Sequence, residues 1–366
     1  MQITRIRLIL FTIIFVLCTA YWLLTRSWAV TPLTVEEKQM TDKLFEQTKP
    51  QCIGRYLFDV PDSFTNTLTS RTNINDINIA SKRLYRPAFE QRIRLREQEL
   101  KNSHTVNPKH QPFLKQVYQI NENTIIFDRN KNESVPGFGR MLEGHLYDNG
   151  VAFIVTTEIT DLSDEKYQED REDYLTNGMN ESSLNDKLQK LAELQSLLSR
   201  LKGRADDEIP NLPGVCIPDG FINDSRIQAN EKISMLYHHD NFKLAINSNN
   251  KLKKGETLLE RGGEIIPVMI MSGAHTLKKG PIELPGINAE EWLIKARQNI
   301  YRPEDKNVPY YTFSLYGNEK VADYKHPIFS VELHNSGMEM KTYTDSQLVD
   351  IWERITQSFR YRPNAF

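Results

Sequence analysis

Hydrophobic positions along this chain fall into three patterns: one unbroken apolar run, stretches that alternate with polar residues, and stretches that recur every three or four residues. The unbroken run, LILFTIIFVLCTAYWLL at residues 8–24, carries no charge. As a helix it rises roughly 25 Å, at the short end of what spans a bilayer. Arg5 and Arg7 precede it and Arg26 follows. Positive charge stays on the cytoplasmic side, so the rest of the chain is expected on the far side of a membrane. Two fates remain open. Ser27-Trp28-Ala29 offers small residues to a signal peptidase, whereas Tyr21, Trp22 and Trp28 suit the outer interface of a retained anchor. Phe15, Val16 and Leu17 lack the small residue that lipoprotein processing needs, so Cys18 reads as a small apolar residue in the span.

Periodic and alternating segments follow. Residues 34–48 read as a helix capped by Thr34, with Glu36 and Glu37 favourable to its dipole, ended by Lys49-Pro50. Residues 52–64 hold a strand that Pro61 stops. Residues 73–84 alternate through Ile74, Ile77 and Ile79 with one slip of register and read as one strand. Pro87 opens a helix to Lys101 whose apolar positions are Phe89, Ile93 and Leu100. Strands are expected at 114–120, 124–128, 141–147 and 151–157, and Asn149-Gly150 predicts a hairpin between the last two. Residues 182–201 form the clearest helix, striped by Leu184, Leu188, Leu191, Leu194 or Gln195, and Leu198.

Two prolines and two glycines within 202–214 mark a break. Beyond it, 231–237 and 242–247 read as paired strands, 264–271 as β-like, and 290–298, 310–316 and 327–333 as strands. Residues 344–361 close with a helix capped by Thr344 or Asp345, its core face Leu348, Ile351, Trp352, Ile355 and Phe359. The expected fold is α+β, with two domains, each a mainly antiparallel sheet packed with helices, after an N-terminal hydrophobic helix. The expected boundaries are 1–30 for a signal peptide or membrane anchor, 31–204 for the N-terminal domain, 205–213 for a linker and 214–366 for the C-terminal domain. The halves look alike in outline, which fits a diverged duplication or the recurrence of a common α+β pattern.

A net charge of −2 gives no global preference for nucleic acid or anionic lipid, and no nucleic-acid partner is expected. Outside the apolar run only Cys52 and Cys216 remain, a disulfide candidate in an oxidising compartment or two separate buried thiols. The chain has no G-x-S-x-G elbow, H-E-x-x-H, C-x-x-C, P-loop or EF-hand loop. His238-His239-Asp240 is the densest set of potential metal ligands. Adjacent strand residues point to opposite faces, so a polar turn is expected there rather than a metal site. Glu264 beside Gly262-Gly263 reads as a turn. Of Glu290 and Glu291 one should point inward and pair with Arg261 or Arg297. Arg83, Arg86, Arg92, Arg94 and Arg96 interleave with Glu90, Glu97 and Glu99, which reads as a solvated, ion-paired face. Catalytic, cofactor and metal residues are all expected to be absent.

The segments CIGRYLFDVPDSF, GVCIPDGFI, AEEWL, YYTFSLYG, PIFSVELHN and LVDIWERITQSFRYRP, in that order, resemble the immunity proteins paired with type VI secretion lipase effectors. The resemblance spans nearly the whole chain after residue 45, across an N- and a C-terminal family domain. It implies a non-enzymatic protein of the periplasm, either free there or held in the inner membrane by residues 8–24. Its partner would be a cognate phospholipase effector, blocked at its active-site entrance or lid. An envelope-assembly or ligand-binding protein is the competing reading, and an envelope hydrolase using His238, His239 or Glu291 a more remote one.

Overall fold

The computed structural model describes residues 30–67, 70–225, 228–300 and 307–366. The apolar run 8–24 lies outside the described residues. Among those described, no helix is long and apolar enough to cross a membrane. The described helices are α1 Val35–Leu44, α2 Arg86–Asn102, α3 Gln168–Thr176, α4 Glu181–Leu184, α5 Lys187–Arg200, α6 Gly262–Ser272 and α7 Asp345–Thr356. By contacts the chain divides into two compact units drawn from interleaved segments. One takes Met1–Pro50, Tyr56–Leu68 and Met235–Tyr361, the other Gln51–Arg55, Thr69–Ser234 and Arg362–Phe366. Residues 205–213, expected as a linker, fall within the second unit.

In the first unit the strands His275–Leu284, Ile287–Gln298, Val308–Gly317, Ile328–His334 and Phe242–Asn249 lie side by side in that order. All four neighbouring pairs are antiparallel. α7 covers one face: Leu348, Ile351, Trp352 and Ile355 are fully buried, and the Trp352 ring meets Phe313 edge-on. α6 covers the other face through Met269, which packs with Trp292 and Ile294. A capping box starts α7, where the Thr344 hydroxyl accepts from Gln347 N–H and the Gln347 side chain accepts from Thr344 N–H. Thr344→Ala is expected to cost about 1 kcal/mol, read by thermal denaturation.

In the second unit residues 231–234, then Arg71–Ile74, Ile77–Arg83, Val151–Thr160, Gly139–Asp148, Thr124–Asn130 and Leu114–Asn121, make an antiparallel sheet. α5 lies on one face, burying Leu194, Leu197 and Leu198. A Cβ on Gly144 would stand 3.0 Å from Leu198, so a bare backbone there lets the helix settle. A smaller sheet, Leu201–Gly203, Gly220–Asn223 and Gly214–Ile217, completes the unit. The irregular loop before Gly214 is held by two buried guanidinium groups. Arg204 donates to the carbonyls of Ala205, Asp206 and Glu208, and Arg362 to those of Pro210, Leu212 and Gly214. Carbonyls outside regular structure need such partners when water is excluded.

Several expectations change. The slip at 73–84 is a turn: Asn75 takes φ 50° and separates two paired strands. The helix expected at 34–48 ends at Leu44, and Thr48 already begins a strand. The helix expected at 182–201 is broken into α4 and α5, and Leu188 is 77% exposed rather than part of the core stripe. Residues 264–271 form helix, not strand. A short apolar run does not distinguish the two, and here the left-handed Gly273 (φ 67°) closes the helix while Met269 finds Trp292. The last helix stops at Thr356; Phe359 is still buried, stacked on Phe58, and Arg360–Tyr361 pairs as a strand.

Candidate partner-binding groove

In the second unit α2 lies over the sheet face opposite α5. Its composition explains how it sits. Over its length only Phe89 and Leu100 are buried, one near each end. Phe89 rests against the Tyr147 ring at 5.2 Å, and Leu100 joins Phe113, Ile125 and Phe127. Between these two points Ile93 packs against the same cluster as Leu100, and on the side towards Glu143 a groove of about 660 Å³ remains between helix and sheet. Leu95, Arg92 and Gln91 line it from the helix, and His145, Ile154 and Thr156 from the strands. A second hollow of about 560 Å³ continues towards Ser103 and Glu133, and Arg96, Glu99 and Arg129 line both.

One carboxylate bridges helix and sheet. Glu143 is buried and accepts two hydrogen bonds from Arg96, each 2.8 Å, and one from Arg129 at 2.6 Å. His145 Nε2 lies 3.0 Å from its other oxygen. Burial by itself would raise the Glu143 carboxyl; the Arg96 and His145 hydrogen bonds and the Arg129 charge outweigh it and hold the group well below the usual carboxylate range. The same contact raises Arg96 further above its ordinary value. All three charged partners are consumed by one another, which suits a rigid scaffold better than acid–base work. The groove rim is different. Leu95 lines the groove and is 57% exposed, and the exposed Arg92, also in the lining, makes no ion pair among the described residues; Tyr85, 86% exposed at the start of α2, and the exposed Arg94 are outside the lining. Exposed tyrosine and unpaired arginine are the side-chain types that most often anchor protein interfaces.

The residues singled out in the sequence are dispersed. Cys52 and Cys216 are joined as a disulfide, their Cα atoms 5.7 Å apart. Asp240 turns a hairpin at φ 43°, and His239 goes into the core, stacked on Phe64 at 4.7 Å and 3.0 Å from the Tyr343 hydroxyl. Burial pushes its pKa down. Glu264 is in the first turn of α6, not in a β-turn. Glu291 is the inward member of its pair, but it takes Lys278 at 2.8 Å and the Trp352 indole N–H at 2.8 Å; Arg261 pairs instead with Glu319. Glu290 accepts from Leu259 N–H. Of the basic stretch, Arg86 pairs with Glu90 and Arg96 with Glu99, as a solvated face requires. Among the described residues no group of three His, Cys, Asp or Glu is placed to hold a metal. Sequence reading passed over Glu143 and Arg129. The available signal was two polar residues, Glu143 and His145, on one face of a strand whose neighbours are apolar.

Two family profiles match the chain. That of the Tle cognate immunity protein 4 N-terminal domain covers residues 49–204, and that of the C-terminal domain covers 208–364. No curated protein sequence matches. Among solved structures, the apo immunity protein TplEi of the type VI secretion system (T6SS) of Pseudomonas aeruginosa is similar at TM-score 0.66 and 17% identity, covering 86% of this chain and 97% of that one. A chain of the Tle4–Tli4 complex is similar at 0.65 and 17%, covering 86% and 98%. A TplEi structure with a peptide designated "L" scores 0.62, also at 17% identity and 86% of this chain, with 98% of that one. At this identity the likeness establishes a shared fold.

Proposed function

The chain belongs to the Tle cognate immunity protein 4 family, and from that membership we propose that it binds and neutralises a phospholipase toxin that a type VI secretion system delivers to the periplasm. Family membership over both halves of the chain is the observation that carries this reading. The protein acts by binding, not by chemistry of its own, and stops the toxin at its active-site entrance or lid. Residues 8–24 hold it at the inner membrane, where a retained inhibitor meets the toxin close to its lipid substrate.

The α2 groove supplies the contact. Tyr85 and Leu95 act as anchors and Arg92 and Arg94 as the free charges around them. Leu95→Glu together with Tyr85→Ala is expected to weaken binding of the cognate effector at least tenfold, since truncating such an anchor costs about 2 kcal/mol or more. Both side chains are exposed, so thermal stability should stay near that of the parent. Calorimetric titration of the cognate phospholipase effector, with a lipase assay in parallel, measures binding, and a thermal melt of each variant measures stability. An effector that neither binds the parent protein nor loses activity with it overturns the reading. Unchanged affinity in the double variant removes the groove but leaves the immunity role.

A further inference from the structure

α6 (GGEIIPVMIMS) is an unusual surface helix. Its only charge is Glu264, in the first turn. Met269 faces the sheet with Ile265 and Ile266 beside it. The opposite side is also apolar: Val268 is 65%, Ile270 44% and Met271 88% exposed. An exposed apolar face of this kind marks a surface that something covers.

Its position tells what covers it. α6 starts at the end of the sheet where Arg261 pairs with Glu319 and runs towards the other end, where Gly273 turns the chain into the strand beginning at His275. His275 pairs with Lys295, and Lys295 Nζ holds Asp345 at 2.7 Å. The next residue, Ser346, donates its hydroxyl to the Thr31 carbonyl at 2.7 Å. The tip of α6 and the point where the chain arrives from its N-terminal segment are therefore at the same end of this unit. Six residues separate Leu24 from Thr31, a reach of at most about 25 Å from one Cα to the other.

We infer that the C-terminal turn of α6, led by Met271 with Ile270 and Val268 behind it, dips into the outer face of the membrane that holds residues 8–24. The inference rests on the anchor reading of that segment. The tip suits a low-dielectric surface because its backbone is closed. Gly273 N–H donates to the Ile270 carbonyl and Ala274 N–H to that of Met269, so these carbonyls are not stranded when water leaves. α6 carries no lysine or arginine. Attraction to anionic lipid is not the driving force; burial of apolar area is, and the contact should form on zwitterionic lipid and persist in high salt. Two attachments, an anchor and a helix tip, would set the orientation of the unit on the membrane.

The full chain, with Cys18→Ser and a single introduced cysteine carrying an environment-sensitive fluorophore, is reconstituted into phosphatidylcholine vesicles. Labels go at Met271→Cys, at Val268→Cys, and at Val321→Cys as reference, since Val321 follows the opposite end of the same strands. The expected result is a blue shift at 271, a smaller one at 268 and none at 321. Quenching by spin labels on the acyl chains should follow the same order and be unaffected by salt. A label at 271 that stays open to aqueous iodide while the chain floats with the vesicles overturns the inference and leaves the anchor standing. A label that becomes shielded only when the effector is added also overturns it, and gives the helix to a protein partner. A chain that does not float with vesicles defeats the anchor reading and this inference together.

Discussion

Reducing the Cys52–Cys216 bridge is expected to cost the second unit about 5 kcal/mol. The closed loop spans 164 residues, and chain-entropy reasoning gives roughly that value for a loop of such length. The bridge also has local work. Cys52 belongs to the short stretch Gln51–Arg55, which is counted with the second unit although the first claims the residues on both sides. Gly54 and Cys216 exchange backbone hydrogen bonds of 2.8 Å, and Arg55 reaches Asp224 at 2.9 Å and Glu231 at 2.6 Å. Without the covalent tie these contacts must hold the stretch alone. Thermal melts of the oxidised protein and of Cys52→Ser/Cys216→Ser should differ by about 10 °C or more for a unit of this size. Identical melts, or free thiols in protein exported to an oxidising compartment, would contradict this.

Glu143→Gln is expected to remove about 3 kcal/mol from the same unit. The substitution keeps the shape but leaves the Arg96 and Arg129 guanidinium groups facing each other without their carboxylate, and breaking one side of a buried ion pair costs about 3–5 kcal/mol. The amide retains some of the hydrogen bonds, which places the loss at the lower end. The pH dependence gives a second signature. Glu143 sits well below its ordinary 4.5 in the folded protein, so the native state binds fewer protons than the unfolded one. Its contribution is complete above about pH 4.5 and fades as the pH falls towards the folded value. Denaturant titrations between pH 6 and pH 3 should show the parent losing stability more steeply than Glu143→Gln, so the two curves converge in acid. Parallel curves would mean that Glu143 does not carry the contact between α2 and the sheet. Because Arg96 ties α2 to the sheet at the groove, the variant should also weaken any ligand that uses the groove.

Much of the local structure was legible from residue order because it depends on neighbours along the chain. Asn149-Gly150 predicts its hairpin since both residues tolerate positive φ, and they adopt 47° and 75°. Thr344 announces α7 because a hydroxyl can take the free N–H three residues on. Ile351, Trp352 and Ile355 announce its buried face by spacing alone. The α+β class and the succession of antiparallel strands followed from the same signals, and the ordered segments led to the family. Where two local signals compete, reading along the chain failed: 264–271 mixes the β-branched Ile265, Ile266, Val268 and Ile270 with the helix formers Glu264, Met269 and Met271, and contact with Trp292 decides for helix.

The candidate groove was illegible for a different reason. Arg96 and Glu143 are 47 residues apart in the chain, and nothing near either one signals the other. Glu291 shows the same limit: alternation correctly turns it inward, but its partners Lys278 and Trp352 come from a bulged strand and from a helix 61 residues on. Periodicity determines which way a side chain points, because that is set by the backbone it stands on. Which charge it meets there, which apolar face stays uncovered and which loop a buried arginine closes are settled only when distant segments pack, since ion pairs and apolar contacts depend on distance in space and are indifferent to distance along the chain.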